Sequence, residues 1–170
     1  MPVNTDIRRM CAADLPAVMA IQAQAYPPVM NEPEAVFAQR LQASPDYCWV
    51  AELDDGLAGY LFGYRSQHGK ITALGAGFTP SEAGDCLYLH DLAIARQARG
   101  SGVAGQLIKQ ALAAAQAMKM RHAALVSVQD AQPFWAKHGF KPAAVDDPKQ
   151  AKNLGSYPPP ACYMSQPLAA

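Results

Sequence analysis

Runs of apolar residues separated by short polar stretches divide the chain into a succession of strands and helices. Ile7 to Met10 predicts a strand, after which Asp14 stands where it could cap a helix with Pro16 in its first turn and an apolar stripe of Val18, Ile21 and Ala25. Tyr26-Pro27-Pro28 stops that helix, because proline removes a donor and restricts the residue before it, and a second helix is expected over 33–43. Strands over 48–53 and 57–65 flank Asp54-Asp55-Gly56, the strongest hairpin signal in the sequence. From 66 to 85 the residues are polar and glycine-rich, which predicts a mobile loop where only the run 71–74 could pair as an extra strand.

Leu87 to Ile94 is nearly continuous in hydrophobicity, the pattern of a central strand covered on both faces. Over 102–120, Ala104, Leu107, Ile108, Ala111, Ala115 and Met118 fall on one side of the longest helix. A buried strand follows over 123–128, then a short helix over 131–138 that Gly139 ends as a left-handed cap, a strand from Phe140, and a last strand over 162–165 after Tyr157-Pro158-Pro159-Pro160. The order β-α-α-β-β-β-α-β-α-β-β mixes hairpins with crossover helices, so the expected fold class is α/β or α+β, a mixed sheet with helices on both faces.

Composition narrows the function classes. The 170 residues suit one domain, 1–170; 51% are hydrophobic and 16% charged, enough apolar surface to fold. Fourteen Lys and Arg balance fourteen Asp and Glu, so no basic field draws nucleic acid or an anionic membrane. No stretch reaches the roughly 18 apolar residues of a membrane span, and the start lacks the apolar region of a leader, so a cytoplasmic location is expected. Cys11, Cys48, Cys86 and Cys162 are far apart with no CxxC pair and read as reduced thiols. His68, His122 and His138 show no metal spacing, and no metal is expected.

Arg96-Gln97-Ala98-Arg99-Gly100-Ser101-Gly102-Val103-Ala104-Gly105 joins the central strand to the longest helix. The first amides of a helix lack partners and the peptide dipoles place partial positive charge there, so the main chain can hold an anion that glycines allow to come close. Arg99 adds a forked donor suited to phosphate oxygens. Gly100-x-Gly102-x-x-Gly105 also fits a dinucleotide fingerprint, but four residues separate it from its strand and the nearest later acid, Asp130, is too far along.

Arg99-x-x-Gly102-x-Ala104 resembles the R/Q-x-x-G-x-G/A signature of the GNAT superfamily of N-acetyltransferases, and Phe134-Trp135-Ala136-Lys137-His138-Gly139-Phe140 resembles the segment that closes that fold. The resemblance implies a mostly antiparallel central sheet of about seven strands, with acetyl-CoA as co-substrate and its pyrophosphate at the turn. It implies cofactor contacts from Leu92, Ala93 and Ile94, from Arg99, Gly100, Ser101, Gly102, Val103, Ala104 and Gly105, and from Trp135. A strand bulge is expected there too, with Asp91 read as the residue at the irregularity and facing away from His90.

Acyl transfer from a thioester to an amine needs a base more than an acid. Freeing the lone pair of an alkylammonium of pKa ~10.4 at pH 7 costs about 4.6 kcal/mol, whereas a thiolate of pKa ~8.5 needs only about 2 kcal/mol of help. His90 is the candidate base, since imidazole titrates near neutrality and the residue sits on the central strand beside the glycine turn. Leu87-Tyr88-Leu89-His90-Asp91-Leu92 resembles the strand of arylalkylamine N-acetyltransferases, a branch with two histidines one residue apart; His90 matches the second, and Tyr88 takes the place of the first. Tyr88 and His90 share a strand face, which allows a water chain through both.

Where the superfamily commonly has a tyrosine acid, this chain has Trp135, whose indole cannot protonate a thiolate; it is read as a wall of the thioester channel. Cys86, on the same face as His90, is a minor candidate for an acyl-enzyme. The acceptor is expected at the loop between the first two helices, through Tyr26, Pro28 and Glu32, and to be a small primary amine, arylalkylamine or polyamine-like. A homodimer is left open. Two other readings remain at this point: a non-catalytic acyl-CoA-binding sensor, suggested by Trp135, and a nicotinamide-dependent enzyme, suggested by the glycine spacing.

Overall fold

A computed structural model describes residues 5–169; residues 1–4, part of the start inspected above for a leader, and residue 170 lie outside the described residues. The strands are β1 (Asp6–Arg9), β2 (Cys48–Leu53), β3 (Gly56–Ser66), β4 (Cys86–Ile94), β5 (His122–Val128), β6 (Lys141–Pro142) and β7 (Ala161–Pro167). The helices are α1 (Leu15–Ala25), α2 (Glu34–Ala43), α3 (Val103–Ala117), α4 (Gln132–Lys137) and α5 (Pro148–Leu154). The seven strands form one sheet in the order β1-β2-β3-β4-β5-β7-β6, antiparallel throughout except for β4 and β5. The mixed, mostly antiparallel α/β architecture expected from the sequence is thus the one found.

Strand β4 is the axis of the core, with Cys86, Leu87, Tyr88 and Leu89 all buried. Helix α3 covers it with Val103, Leu107, Ile108, Ala111 and Ala115, an i, i+4, i+5 stripe whose opposite side is polar. Helices α1 and α2 supply Val18, Ile21 and Phe37, which are buried in the same core. The β2–β3 hairpin turns at Asp54-Asp55, with Gly56 at φ 129°, as the sequence signalled.

Four local expectations change. Asp14 does not cap α1 with its side chain; it accepts the Cys11 amide at 2.8 Å and pairs with Arg8 at 2.8 Å, because the preceding residues wind into a tight turn that takes the carboxylate first. Residues 71–74 form no strand. The loop 67–85 is instead pinned by buried Ile71 and Phe78, by bonds donated from Gln39, Arg40, Asn153 and Tyr157, and by the Ile71 amide donating to Gln150. Helix α5 was not anticipated; Asp147 caps it, accepting from the Lys149 amide at 2.8 Å, ahead of Pro148. Phe140 is buried and precedes β6, which begins one residue later at Lys141.

The feature that positions the site is a parting of the two parallel strands. β4 pairs with β5 only from Cys86↔His122 to Leu89↔Leu125. Beyond that, β4 stays with β3 as far as Ile94 and β5 stays with β7 as far as Val128, so a gap opens between them.

Candidate active site

The gap begins at a bulge. Phe62 faces Asp91 and Gly63 faces Leu89, so His90 is the extra residue, one position before the site expected at Asp91. Gly63 sits beside the bulge, where a Cβ would be crowded, standing 3.1 Å from the Tyr88 carbonyl and 3.3 Å from that of Tyr47. The bulge breaks the strict alternation of faces, and the expectation that Asp91 points away from His90 fails for this reason. Asp91 accepts from the hydroxyls of Tyr26 at 2.8 Å and Tyr60 at 2.9 Å and lines the same cleft as His90. Burial, with the charge of Glu32, pushes its carboxyl up to about 6, against the hold of the two tyrosines.

Beyond the bulge the ladder again alternates. The Ala95 amide bonds Ala58 at 2.7 Å, so Ala93 and Ala95 turn toward β3 and the main-chain groups of Leu92 and Ile94 turn toward the gap. The Tyr26 hydroxyl reaches the Leu92 carbonyl from that side at 3.0 Å.

At the far end of β4 lies the glycine loop. Gly100 (φ 78°) and Gly102 (φ 86°) are both left-handed, and Gly102 begins α3 with no side chain capping it. The first helical bond is from Gln106 to Gly102 at 3.2 Å, and the amides of Val103, Ala104 and Gly105 have no partner among the described residues, which leaves them open to an anion. Arg99 is exposed at the mouth, its guanidinium only 3.4 Å from the Gln24 carbonyl. Ser101 turns its hydroxyl back to the Ala98 carbonyl and lines neither cleft.

Two clefts meet here. One, of about 390 Å³, lies over Arg99, Gly100, Gly102 and Val103, flanked by Phe134 and His138. The other, of about 350 Å³, runs between the parted strands from Arg99 and Ala104, past Leu92 and Trp135, to Tyr26, Glu32, His90 and Tyr157. Ile94, Arg99, Ala104 and Phe134 border both. Ala93 is on the wall of the second and Gly105 on that of the first. Trp135 is buried on the β5 side, as a channel wall should be.

Glu32, read from the sequence as an attractor for an ammonium, is spoken for. Arg40, wholly buried, donates to both of its oxygens, one at 2.8 Å, and the Gly75 amide adds a bond of 2.7 Å. Arg40 also bonds the Ala76 carbonyl at 3.0 and 2.7 Å, and Gln22 clamps the Glu32 main chain at 2.8 and 3.0 Å. Burial works to raise the Glu32 carboxyl, but Arg40, helped by His90, more than offsets it and holds the group well below the usual carboxylate range. Sequence reading missed Arg40, which carries no signal there beyond being one basic residue in an amphipathic helix.

His90 places Nε2 3.5 Å from Glu32 Oε2 and Nδ1 3.5 Å from the Tyr157 hydroxyl. Burial, with the charge of Arg40, lowers its pKa against the pull of Glu32, so the ring is neutral near neutral pH. Tyr88 is buried beneath His90, its ring 6.2 Å away, and does not line the cleft. Its hydroxyl lies beside the Tyr157 hydroxyl and the Thr72 main chain but makes no well-aligned hydrogen bond among the described residues. Pro28 is exposed and off the cleft, where Met30 takes the place expected for it. Cys86 is buried and its thiol pushed up to about 12 by burial and by Asp85, which removes it as a nucleophile. Among the described residues no group of three or more His, Cys, Asp or Glu is placed to hold a metal, and no helix is long and apolar enough to cross a membrane.

Residues 15–140 match the sequence profile of the Acetyltransferase (GNAT) family, and the chain belongs to that family. No curated protein sequence matches it. Among solved structures it is similar to the loading GNATL domain of CurA from Lyngbya majuscula, with TM-score 0.75 and 15% identity over 96% of this chain and 98% of that one. It is also similar to Ard1 from Thermoplasma volcanium, with TM-score 0.70 and 17% identity over 99% and 100% of the two chains. Naa50 from Arabidopsis thaliana, in complex with the bisubstrate analogue CoA-Ac-MVNAL, aligns with TM-score 0.69 and 17% identity over 96% and 97%. At such identities the likeness is one of fold.

Proposed function

We propose that the protein moves an acetyl group from acetyl-CoA to a small primary amine by direct attack in a ternary complex. One observation carries the reading: a single cleft runs from Arg99 and Ala104 at the start of α3, through the parted strands, to His90. The free amides of α3 and Arg99 suit the pyrophosphate. The gap-facing main chain of Leu92 and Ile94 suits the extended pantetheine arm, and Trp135 walls it.

The acceptor end is apolar and aromatic, with Tyr26, Met30 and Leu74 around it. Arg40 neutralises Glu32 and leaves the Asp91 carboxylate, ionised at pH 7, as the net charge there, so the floor favours a cation. An arylalkylamine answers both features. The neutral imidazole of His90 accepts the proton whose removal costs about 4.6 kcal/mol for an ammonium of pKa ~10.4, and the thiolate leaves with water as its proton source.

The test is thiol release from acetyl-CoA with 2-phenylethylamine, spermidine and a peptide bearing a free N-terminus. Release that depends on a small amine is expected. A protein that binds acetyl-CoA and releases no thiol with any of them is a sensor, and one that prefers the peptide overturns the acceptor class.

A further inference from the structure

His90 takes the proton in the reading above, yet its ring is not what faces the cleft. The side chain is 2% exposed while the residue as a whole is half-buried, so His90 presents main chain to the open space. Nε2 faces a carboxylate fixed by Arg40 and Gly75. A lone pair there would be repelled, so Nε2 carries the ring proton and Nδ1 is the basic nitrogen. Nδ1 in turn is covered by the Tyr157 hydroxyl. Tyr157 lines the cleft, and its hydroxyl donates to the Thr72 carbonyl at 2.6 Å. A phenol has one proton, and rotation about its C–O bond carries that proton from Thr72 round to Nδ1.

We propose that the Tyr157 hydroxyl is the group that meets the acceptor amine and relays its proton to Nδ1 of His90. An N–H bond of the ammonium breaks and that proton joins the Tyr157 oxygen as the phenolic proton leaves for Nδ1. The amine gains its lone pair, Tyr157 ends neutral and His90 ends as imidazolium against Glu32; nothing is oxidised or reduced. Burial holds the Tyr157 phenol far above neutrality, so it passes a proton without standing as a phenolate. The 3.5 Å contact is at the long end of hydrogen bonding, as such contacts often are before substrate binds. The groups bearing on His90 are Glu32 and Arg40 from the α2 side, Asp91 and Tyr88 on β4, and Tyr157 ahead of β7. The inference rests on the amine-acetyltransferase reading and adds a second catalytic residue to it.

Tyr157→Phe keeps the ring and removes the relay oxygen. With the amine that the wild type acetylates fastest, kcat should fall about 100-fold or more while the KM for acetyl-CoA stays within about twofold. The acid limb of the pH–rate profile should vanish, as in His90→Gln. The double variant should be no more than about threefold slower than the slower single one, because groups in series do not multiply. Tyr157→fluorotyrosine keeps the Thr72 bond and makes the phenol more acidic, so it should change the solvent isotope effect on kcat even where Tyr157→Phe folds poorly. If Tyr157→Phe keeps kcat within about threefold and keeps its acid limb while His90→Gln loses both, the relay is wrong and the acetyltransferase reading stands. An unchanged isotope effect in the fluorotyrosine variant overturns the relay in the same way. A wild type that releases no thiol with any amine overturns both.

Discussion

Replacing Arg40 with methionine isolates the charge at the floor of the cleft. Methionine keeps an unbranched apolar stem, so the main loss is the guanidinium that holds both oxygens of Glu32 and the Ala76 carbonyl. Glu32, with a side chain 5% exposed, would keep only the Gly75 amide and His90 as compensation. Breaking a buried pair by removing one partner costs about 3–5 kcal/mol. At about 2–4 °C per kcal/mol for a domain of this size, Arg40→Met should lower Tm by about 6–20 °C, read by circular dichroism at pH 7. Its sign against pH follows from Glu32, whose folded pKa is depressed. The contribution is complete above the unfolded value of about 4.3 and drains as the pH falls through the folded one. The gap between wild type and Arg40→Met should therefore narrow in acid, and Glu32→Gln combined with Arg40→Met should recover part of the loss. A Tm drop under about 2 °C at pH 7, or a gap that ignores pH, refutes the reasoning.

Asp91 runs the opposite way: its folded value of about 6 lies above an unfolded value of about 3.9, so ionising it costs the fold about 3 kcal/mol, lost progressively between pH 4 and pH 6 and constant above. Denaturant titrations should show wild type losing stability relative to Asp91→Asn over that window, and parallel curves would contradict the assignment. Arg99→Ala should weaken acetyl-CoA about 10-fold or more with Tm unchanged, since the side chain is exposed and its loss touches only the donor; calorimetry with equal affinities would count against it. Gly63→Ala should cost about 1–3 kcal/mol in unfolding free energy, because its Cβ meets two carbonyl oxygens within 3.3 Å, and a neutral substitution would mean the bulge is softer than described.

The fold was largely legible because its strongest signals are local. Asp54-Asp55-Gly56 bounds a hairpin, the unbroken run over 87–94 marks a strand buried on both faces, and the stripe read from Ala104 to Met118 marks the longest helix, where Leu107, Ile108, Ala111 and Ala115 are buried while Met118, past the last turn, is exposed. Helix α5 was not legible, since PKQAKNL has almost no apolar stripe, although Asp147-Pro148 carried a start signal. The glycine loop and His90 could be found because each rests on residues close in sequence. The partners of His90 could not, since Glu32, Arg40 and Tyr157 come from segments far apart and meet only once loop 67–85 is pinned across α2. The side of Asp91 was misread for a related reason: one bulge residue, invisible in the pattern, shifts every later side chain by half a period.

Calorimetric titration of the protein with acetyl-CoA, and in parallel with NAD, tests the account at its root. One acetyl-CoA per chain with a micromolar Kd, weakened in Arg99→Ala, and no heat from NAD is the predicted result. An absence of heat from acetyl-CoA up to millimolar concentration, or equal binding of NAD, would contradict it.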